Sequence, residues 1–227
     1  MIRLHGLTKK QRGDRFALRD VNLHVRPGEM AAVTGPTGCG RTTLLRILFG
    51  QDRPDSGAAI VGGRNLGQMG ASELAMLRRR TGVVMEDHPL IERLTVLDNV
   101  ALAAEVRGHA RSEALSMAAQ TLRDLDIIDC ADIHPSALCA GEERSARLAR
   151  AVVIGPDLIL ADEPTAGMDP DRVLAVLSAL KGAVAEGTTV LLACNDLEAL
   201  SEVGARVLIL NEGSLYEDGW ARRRACA

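Results

Sequence analysis

The stretch Gly35-Pro36-Thr37-Gly38-Cys39-Gly40-Arg41-Thr42-Thr43 constrains this chain more than any other. The compact apolar run Met30–Thr34 leads straight into it and reads as a strand. Thr42–Phe49 follows with helical character and closes at Gly50. Strand, glycine loop and helix in that order is the context a phosphate-binding loop requires. Gly35, Gly38 and Gly40 let the backbone curl until its N–H groups face one centre. The helix beginning near Arg41 adds a partial positive charge of about half a unit. Thr42 stands where a hydroxyl would meet Mg²⁺. One position departs from the motif, which asks for Lys where this chain has Arg41. Lys is a compact point charge, whereas Arg keeps the charge on a longer, planar fork.

A second motif lies downstream. Leu158-Ile-Leu-Ala-Asp162-Glu163 puts two carboxylates at the end of a buried strand. In an open parallel sheet that end is where ligands bind. Asp162 would hold the Mg²⁺ shell, and Glu163 would orient or deprotonate an attacking water. Loop and acidic pair together predict a nucleoside triphosphate held with Mg²⁺.

The rest of the chain supports an α/β fold. Ile2–Leu7, Val21–Val25, Ala58–Val61, Leu158–Ala161, Thr188–Ala193, Val207–Leu210 and Ser214–Glu217 read as further strands. Asp98–Arg107, Ser112–Leu125 with Ser112 as its N-cap, Glu142–Val153, Asp171–Ala185 and Leu197–Val203 read as helices. Pro135 and Gly141 bracket a loop. Strands alternating with helices imply a mostly parallel sheet with crossover helices. An antiparallel part is expected near the N-terminus. The whole chain, 1–227, reads as one domain with a helical insertion at about 87–151.

Composition narrows the function classes. The net charge of −3 gives no electrostatic footprint for nucleic acid. Four aromatic residues (Phe16, Phe49, Tyr216 and Trp220) leave the core to aliphatic side chains. The five cysteines, Cys39, Cys130, Cys139, Cys194 and Cys226, form no C-x-x-C pair. They fit a reducing cytosol better than a disulfide framework or a zinc site. The N-terminus does not read as a signal peptide, and no apolar run approaches the roughly 20 residues needed to span a bilayer. A membrane role would need a partner. Arg222–Arg224 read as a solvated basic end.

The two motifs, with Leu138-Cys-Ala-Gly141-Glu-Glu and Arg150-Ala151 between them, resemble the ATP-binding-cassette (ABC) ATPases over nearly the whole chain. The likeness is strongest to the cell-division FtsE type, which works with the membrane protein FtsX. It rests on Met1-Ile-Arg, Pro27-Gly-Glu-Met30, Leu77–Val84, Asp87-His88, Thr95-Val96, Asp98-Asn-Val100 and Leu160-Ala-Asp-Glu-Pro-Thr165. Lipoprotein-release and macrolide-export ATPases share several of these stretches. The resemblance implies a P-loop fold and an ATP- and Mg²⁺-dependent ATPase. It also implies a homodimer in which the loop of one copy faces the signature segment of the other. The helical insertion should touch an FtsX-type membrane partner, with contact near Glu86–Leu94, on the cytoplasmic face of the inner membrane.

Against that pattern several nucleotide-contacting positions differ. Gln11 stands where the family stacks an aromatic on adenine, a contact worth roughly 1–3 kcal/mol in comparable base-stacking sites. Glu86 replaces a glutamine, and a like charge at 4 Å costs about 4 kcal/mol at an effective dielectric of 20. Cys139 and Ala140 replace the signature serine and glycine, while Gly141 is kept. Asn195 replaces the switch histidine and can donate a hydrogen bond but cannot take up a proton at neutral pH. Asp169 is kept. The implied catalytic residues are Glu163 and Asn195, with turnover reduced by Arg41, Glu86, Cys139, Ala140 and Asn195. The alternative is an impaired ABC-like subunit acting as a nucleotide-holding or structural module.

Overall fold

Alternating apolar residues build the first sheet. In the computed structural model, which describes residues 1–11 and 15–217, Ile2, Leu4 and Leu7 of β1 (Ile2–Lys10) are buried while Arg3 and His5 face outward. Three intervals instead of two separate Leu4 from Leu7, and a register shift between them keeps Leu7 in the core. β2 (Phe16–Val25) buries Val21, Leu23 and Val25 by the same alternation. The following elements are β3 (Met30–Thr34), α1 (Arg41–Leu48), β4 (Ser56–Val61), β5 (Arg64–Asn65) and α2 (Ala71–Arg79). Next come β6 (Thr81–Val84), α3 (Val96–Val106), α4 (Arg111–Asp124) and α5 (Ala140–Val152). The chain closes with β7 (Leu158–Asp162), α6 (Pro170–Ala185), β8 (Thr189–Ala193), α7 (Leu197–Glu202), β9 (Arg206–Asn211) and β10 (Ser214–Glu217).

The described residues divide into two compact units, those of 1–78 with 189–217, and 79–188. In the first, β2-β1-β4-β5 form an antiparallel sheet. Separately, β3 lies between β8 and β9 and runs parallel to both, with β10 antiparallel on the outer edge of β9. Four of the five β3 residues are buried, and all five of β8, as befits strands covered on both faces. α1 buries Leu44, Leu45, Ile47 and Leu48, each worth about 1.5–3 kcal/mol when fully buried. That face fixes the helix that the glycine loop enters.

In the second unit β6 and β7 are parallel, in the register Thr81↔Leu158 to Val84↔Ala161. α5 packs on β6, and α3, α4 and α5 pack on one another. The second unit thus holds a strand pair as well as these helices. The fold is α/β, with parallel core strands, a separate antiparallel sheet and a helical part, as the sequence predicts.

Two local expectations are corrected. Ser112 is not the N-cap of α4, because the helix begins at Arg111 with Ala110 capping it and no side-chain cap bond. The span from Pro135 to Gly141 is not a plain loop. Pro135–Ala137 makes a 3-10 turn, and α5 starts at Ala140, so Gly141 is a buried residue of its first turn. The basic end Arg222–Arg224, Trp220 and Cys226 lie outside the described residues. Among the described residues no helix is long and apolar enough to cross a membrane.

Candidate functional site

The first unit supplies the glycine loop. β3 ends at Thr34, and Cys39 N–H donates to Pro36 O at 3.1 Å, closing a turn before α1. Pro36, Thr37 and Gly38 form the exposed crest, while Cys39 and Gly40 are buried. Gly40 has φ 112°, and a Cβ there would lie 2.0 Å from the Ala17 carbonyl oxygen. Gly38 has φ 80°, yet a Cβ on it would meet nothing within 4 Å. Gly40 is thus demanded by packing. Gly38 opens on empty space at the crest, where a loop of backbone N–H groups can take an anion.

Two side chains frame this loop. Arg41 Nη1 donates to Gly35 O at 2.9 Å and to Asn195 Oδ1. Asn195 Oδ1 also accepts from Thr34 Oγ1 at 3.3 Å and from Gly35 N–H at 3.4 Å. The strand register explains the meeting. Val33 pairs with Ala193, and Cys194 N–H continues the ladder to Val33 O at 3.1 Å. The next residue on one strand therefore reaches the first residue of the loop on the other. Phe16, the remaining aromatic near Gln11, has the Arg19 guanidinium 4.5 Å and the Lys10 ammonium 5.7 Å from its ring centre.

The second unit brings the acidic residues together. β6 and β7 end side by side, so Glu86 follows at the same C-terminal edge where Asp162 ends β7 and Glu163 begins the turn. Glu86 is exposed, and Asp162 and Glu163 are half-buried. Glu163 has φ 45°, a left-handed conformation that is uncommon for a residue with a Cβ. Such strain is held where the surroundings over-determine it, and functional sites are where it collects. Arg144 reaches into the same turn and donates to Ala166 O.

The signature segment has a structural role of its own. Cys139 is the N-cap of α5. Its Sγ accepts from Glu142 N–H at 3.5 Å, and Glu142 Oε2 accepts from Cys139 N–H at 2.9 Å, a reciprocal capping box built on a thiol. Ala140 is exposed at the helix start. Arg172 binds Glu142 at 3.5 Å and Asp169 at 3.1 Å, and Asp169 caps α6 by accepting from Arg172 N–H at 3.0 Å. That backbone hydrogen bond holds the Asp169 carboxyl below its ordinary range, and the one from Cys139 does the same for Glu142.

Two residues outside the predicted site fix the 88–95 segment. Buried Asn99 accepts from Ile91 N–H at 2.6 Å and donates to Ile91 O, Leu94 O and Thr95 O at 3.0, 3.2 and 2.9 Å. Arg150 of α5 donates to His88 O at 2.5 Å and Pro89 O at 2.7 Å. Burial, with the neighbouring Arg147 charge, pushes its guanidinium down to about 10. Asn99 on the face of Val96 and Val100, with Asp98 in the first turn, is the available signal for the first. Arg150 stands in the Arg150-Ala151 stretch quoted for the resemblance, but its contacts with Pro89 and His88, 61 and 62 residues away, are not marked locally.

The first unit offers the Thr42 hydroxyl and the second the Asp162 carboxylate, each a hard oxygen of the kind Mg²⁺ takes, with phosphate and water filling the rest of its shell. Apart from Pro36, which has no N–H, residues Gly35, Thr37, Gly38, Cys39, Gly40, Arg41, Thr42 and Thr43 carry backbone N–H groups, and with the hydroxyls of Thr37, Thr42 and Thr43 and the Arg41 guanidinium they supply the chemistry of polyphosphate recognition.

Comparison with known proteins bears on the family and the fold. The family profile described as ABC transporter matches residues 18–166. The cell division ATP-binding protein FtsE of Escherichia coli is 35% identical over 216 residues, covering 95% of this chain and 97% of that protein. The methionine import ATP-binding protein MetN of Mesorhizobium japonicum is 34% identical over 220 residues, and there the match spans 60% of the relative's length. Among solved structures, the dimeric post-hydrolysis state of the ATP-binding cassette MJ0796, bound to ADP and Pi, superposes with a TM-score of 0.88 at 28% identity. It covers 96% of this chain and 98% of that one.

Proposed function

The chain belongs to the ABC transporter family, and from that premise we propose that it is the ATP-binding subunit of an FtsE-like membrane complex, binding MgATP and hydrolysing it slowly. The observation that carries the proposal is the 35–43 loop, with its packed base at Gly40 and its open crest at Gly38. Loop N–H groups and the Arg41 guanidinium bind the phosphates. Thr42 and Asp162 would hold Mg²⁺, which when bound neutralises charge on the phosphate oxygens. The Glu163 carboxylate accepts a proton from water or orients it. Asn195, in place of a histidine, can donate a hydrogen bond without changing charge.

Two copies are proposed to pair, loop 35–43 of one toward the 139–141 segment of the other. The dimeric state of the MJ0796 cassette supports this. Membrane attachment is assigned to a partner of FtsX type, docking near 86–94 on the cytoplasmic face. The near full-length match to FtsE supports a role in cell division. The similar identity to MetN supports an importer-type partner as the competing assignment. A second reading, a nucleotide-holding module without turnover, is favoured by one observation: Arg41 is tied to Asn195 and to the loop's own Gly35 carbonyl.

Steady-state ATPase measurements on the chain with its membrane partner separate these readings. The proposal expects slow turnover that disappears in Glu163→Gln while MgATP binding persists. Turnover unaffected by that substitution would remove Glu163 from the mechanism. Binding with no turnover in the unaltered chain would establish the second reading.

A further inference from the structure

Asn195 turns its oxygen, not its amide nitrogen, on the phosphate loop. A guanidinium only donates, so contact with Arg41 requires the carbonyl side of the Asn. That oxygen also receives Thr34 Oγ1 and Gly35 N–H, while Arg41 Nη1 reaches back to Gly35 O. The residue is held from both sides. Cys194 N–H is bonded to Val33 O at 3.1 Å, and the Asp196 carboxylate accepts from Ala199 N–H at 3.0 Å. Strand register and the start of α7 thus fix Asn195, and Asn195 in turn meets Arg41.

The two residues suit each other chemically. A guanidinium carries five N–H donors, so one nitrogen can stay on Asn195 while another serves a phosphate oxygen. An ammonium places three donors at one point on a different reach. A neutral amide beside Arg41 adds no repulsion, whereas an imidazole able to take a proton would add a like charge.

We propose that Asn195 is a positioning residue for Arg41, and that the two side chains form a matched pair setting where the loop's cation sits. The proposal rests on the reading of 35–43 as a nucleotide loop and deepens it. It departs from a γ-phosphate contact in one measurable way: the pair acts on any phosphate chain, including one that lacks the γ group.

The test is a double-mutant cycle of Arg41→Lys, Asn195→Ala and both together, with MgADP and MgATP affinities measured by titration calorimetry. Asn195→Ala is expected to weaken MgADP and MgATP alike by about threefold to tenfold, in the range found for contacting side chains. In the Arg41→Lys background the same substitution should have little further effect. Weakening of MgATP alone, or single effects that simply multiply, would overturn the pairing. If the unaltered chain binds neither nucleotide, the nucleotide-loop reading fails separately. The pair is then judged by thermal unfolding of the same four proteins without ligand. Coupled Tm shifts sustain it and additive shifts overturn it.

Discussion

Gly38 and Gly40 are two residues apart on one loop, and the structure assigns them different work. At Gly40 an added Cβ would lie 2.0 Å from the Ala17 carbonyl oxygen and 3.0 Å from its carbon, with φ at 112°. Strained backbone of this kind costs about 1–3 kcal/mol, and forcing atoms into packed space costs about another 1–3 kcal/mol. Gly40→Ala should therefore lose roughly 2–6 kcal/mol of a total stability of about 5–15 kcal/mol. At about 2–4 °C per kcal/mol for a chain of this size, Tm falls by roughly 5–20 °C. At Gly38 the Cβ meets nothing within 4 Å, so only the positive φ of 80° is penalised. Gly38→Ala should lose about 1–2 kcal/mol, a Tm drop of a few degrees. Its methyl, however, stands at the crest where phosphate is to approach, so MgATP affinity should fall at least tenfold. Thermal unfolding and calorimetric titration of both variants give the comparison. A Gly40→Ala protein as stable as the parent, or a Gly38→Ala protein with unchanged affinity, would refute the division of roles.

Three further outcomes follow from the second unit. Asn99→Ala removes the hydrogen bonds that hold 91–95 and leaves their buried backbone partners unmet, so a loss of about 2–4 kcal/mol is expected in denaturant unfolding. Cys139→Ala breaks half of the capping box on α5 and should lower stability by about 0.5–1 kcal/mol, while Cys139→Ser should hold or raise it. Glu142 and Asp169 both have carboxyls depressed below their ordinary values of 4.5 and 3.8, chiefly by backbone N–H groups. A depressed carboxylate contributes stability above its unfolded value and loses it as pH falls through the folded one. Thermal stability should therefore drop below about pH 4.5, less steeply in Glu142→Gln, and parallel pH curves for parent and variant would contradict the assignment.

The parts of the fold legible in the sequence are those where local pattern and tertiary burial agree. Met30–Thr34 is found with the expected bounds because a short apolar run before a glycine loop has few other outcomes. β7 extends the expected Leu158–Ala161 by one residue, Asp162, since a charged strand end carries no apolar signal. β1 and β2 run well past the expected Ile2–Leu7 and Val21–Val25, held by the pairs Lys9↔Leu18 and Lys10↔Phe16 that only the folded sheet supplies. α2 has no buried residue, so it offers no stripe to read. β6 is four residues long and depends on β7, which is far away in sequence. In the site, residue types announced the loop and the acidic pair. The Arg41–Asn195 contact was not legible, because a parallel register joining residues 154 apart in sequence creates it. Cys139 likewise looked like a weakened ligand contact, and its capping bond appears only once α5 has a defined start.

Binding of a nucleoside triphosphate by loop 35–43 is read out by calorimetric titration of MgATP into the purified chain. Saturable binding at one nucleotide per chain, competed by MgADP, is the predicted result. No saturable heat up to millimolar MgATP, from a protein shown to be folded, would contradict it.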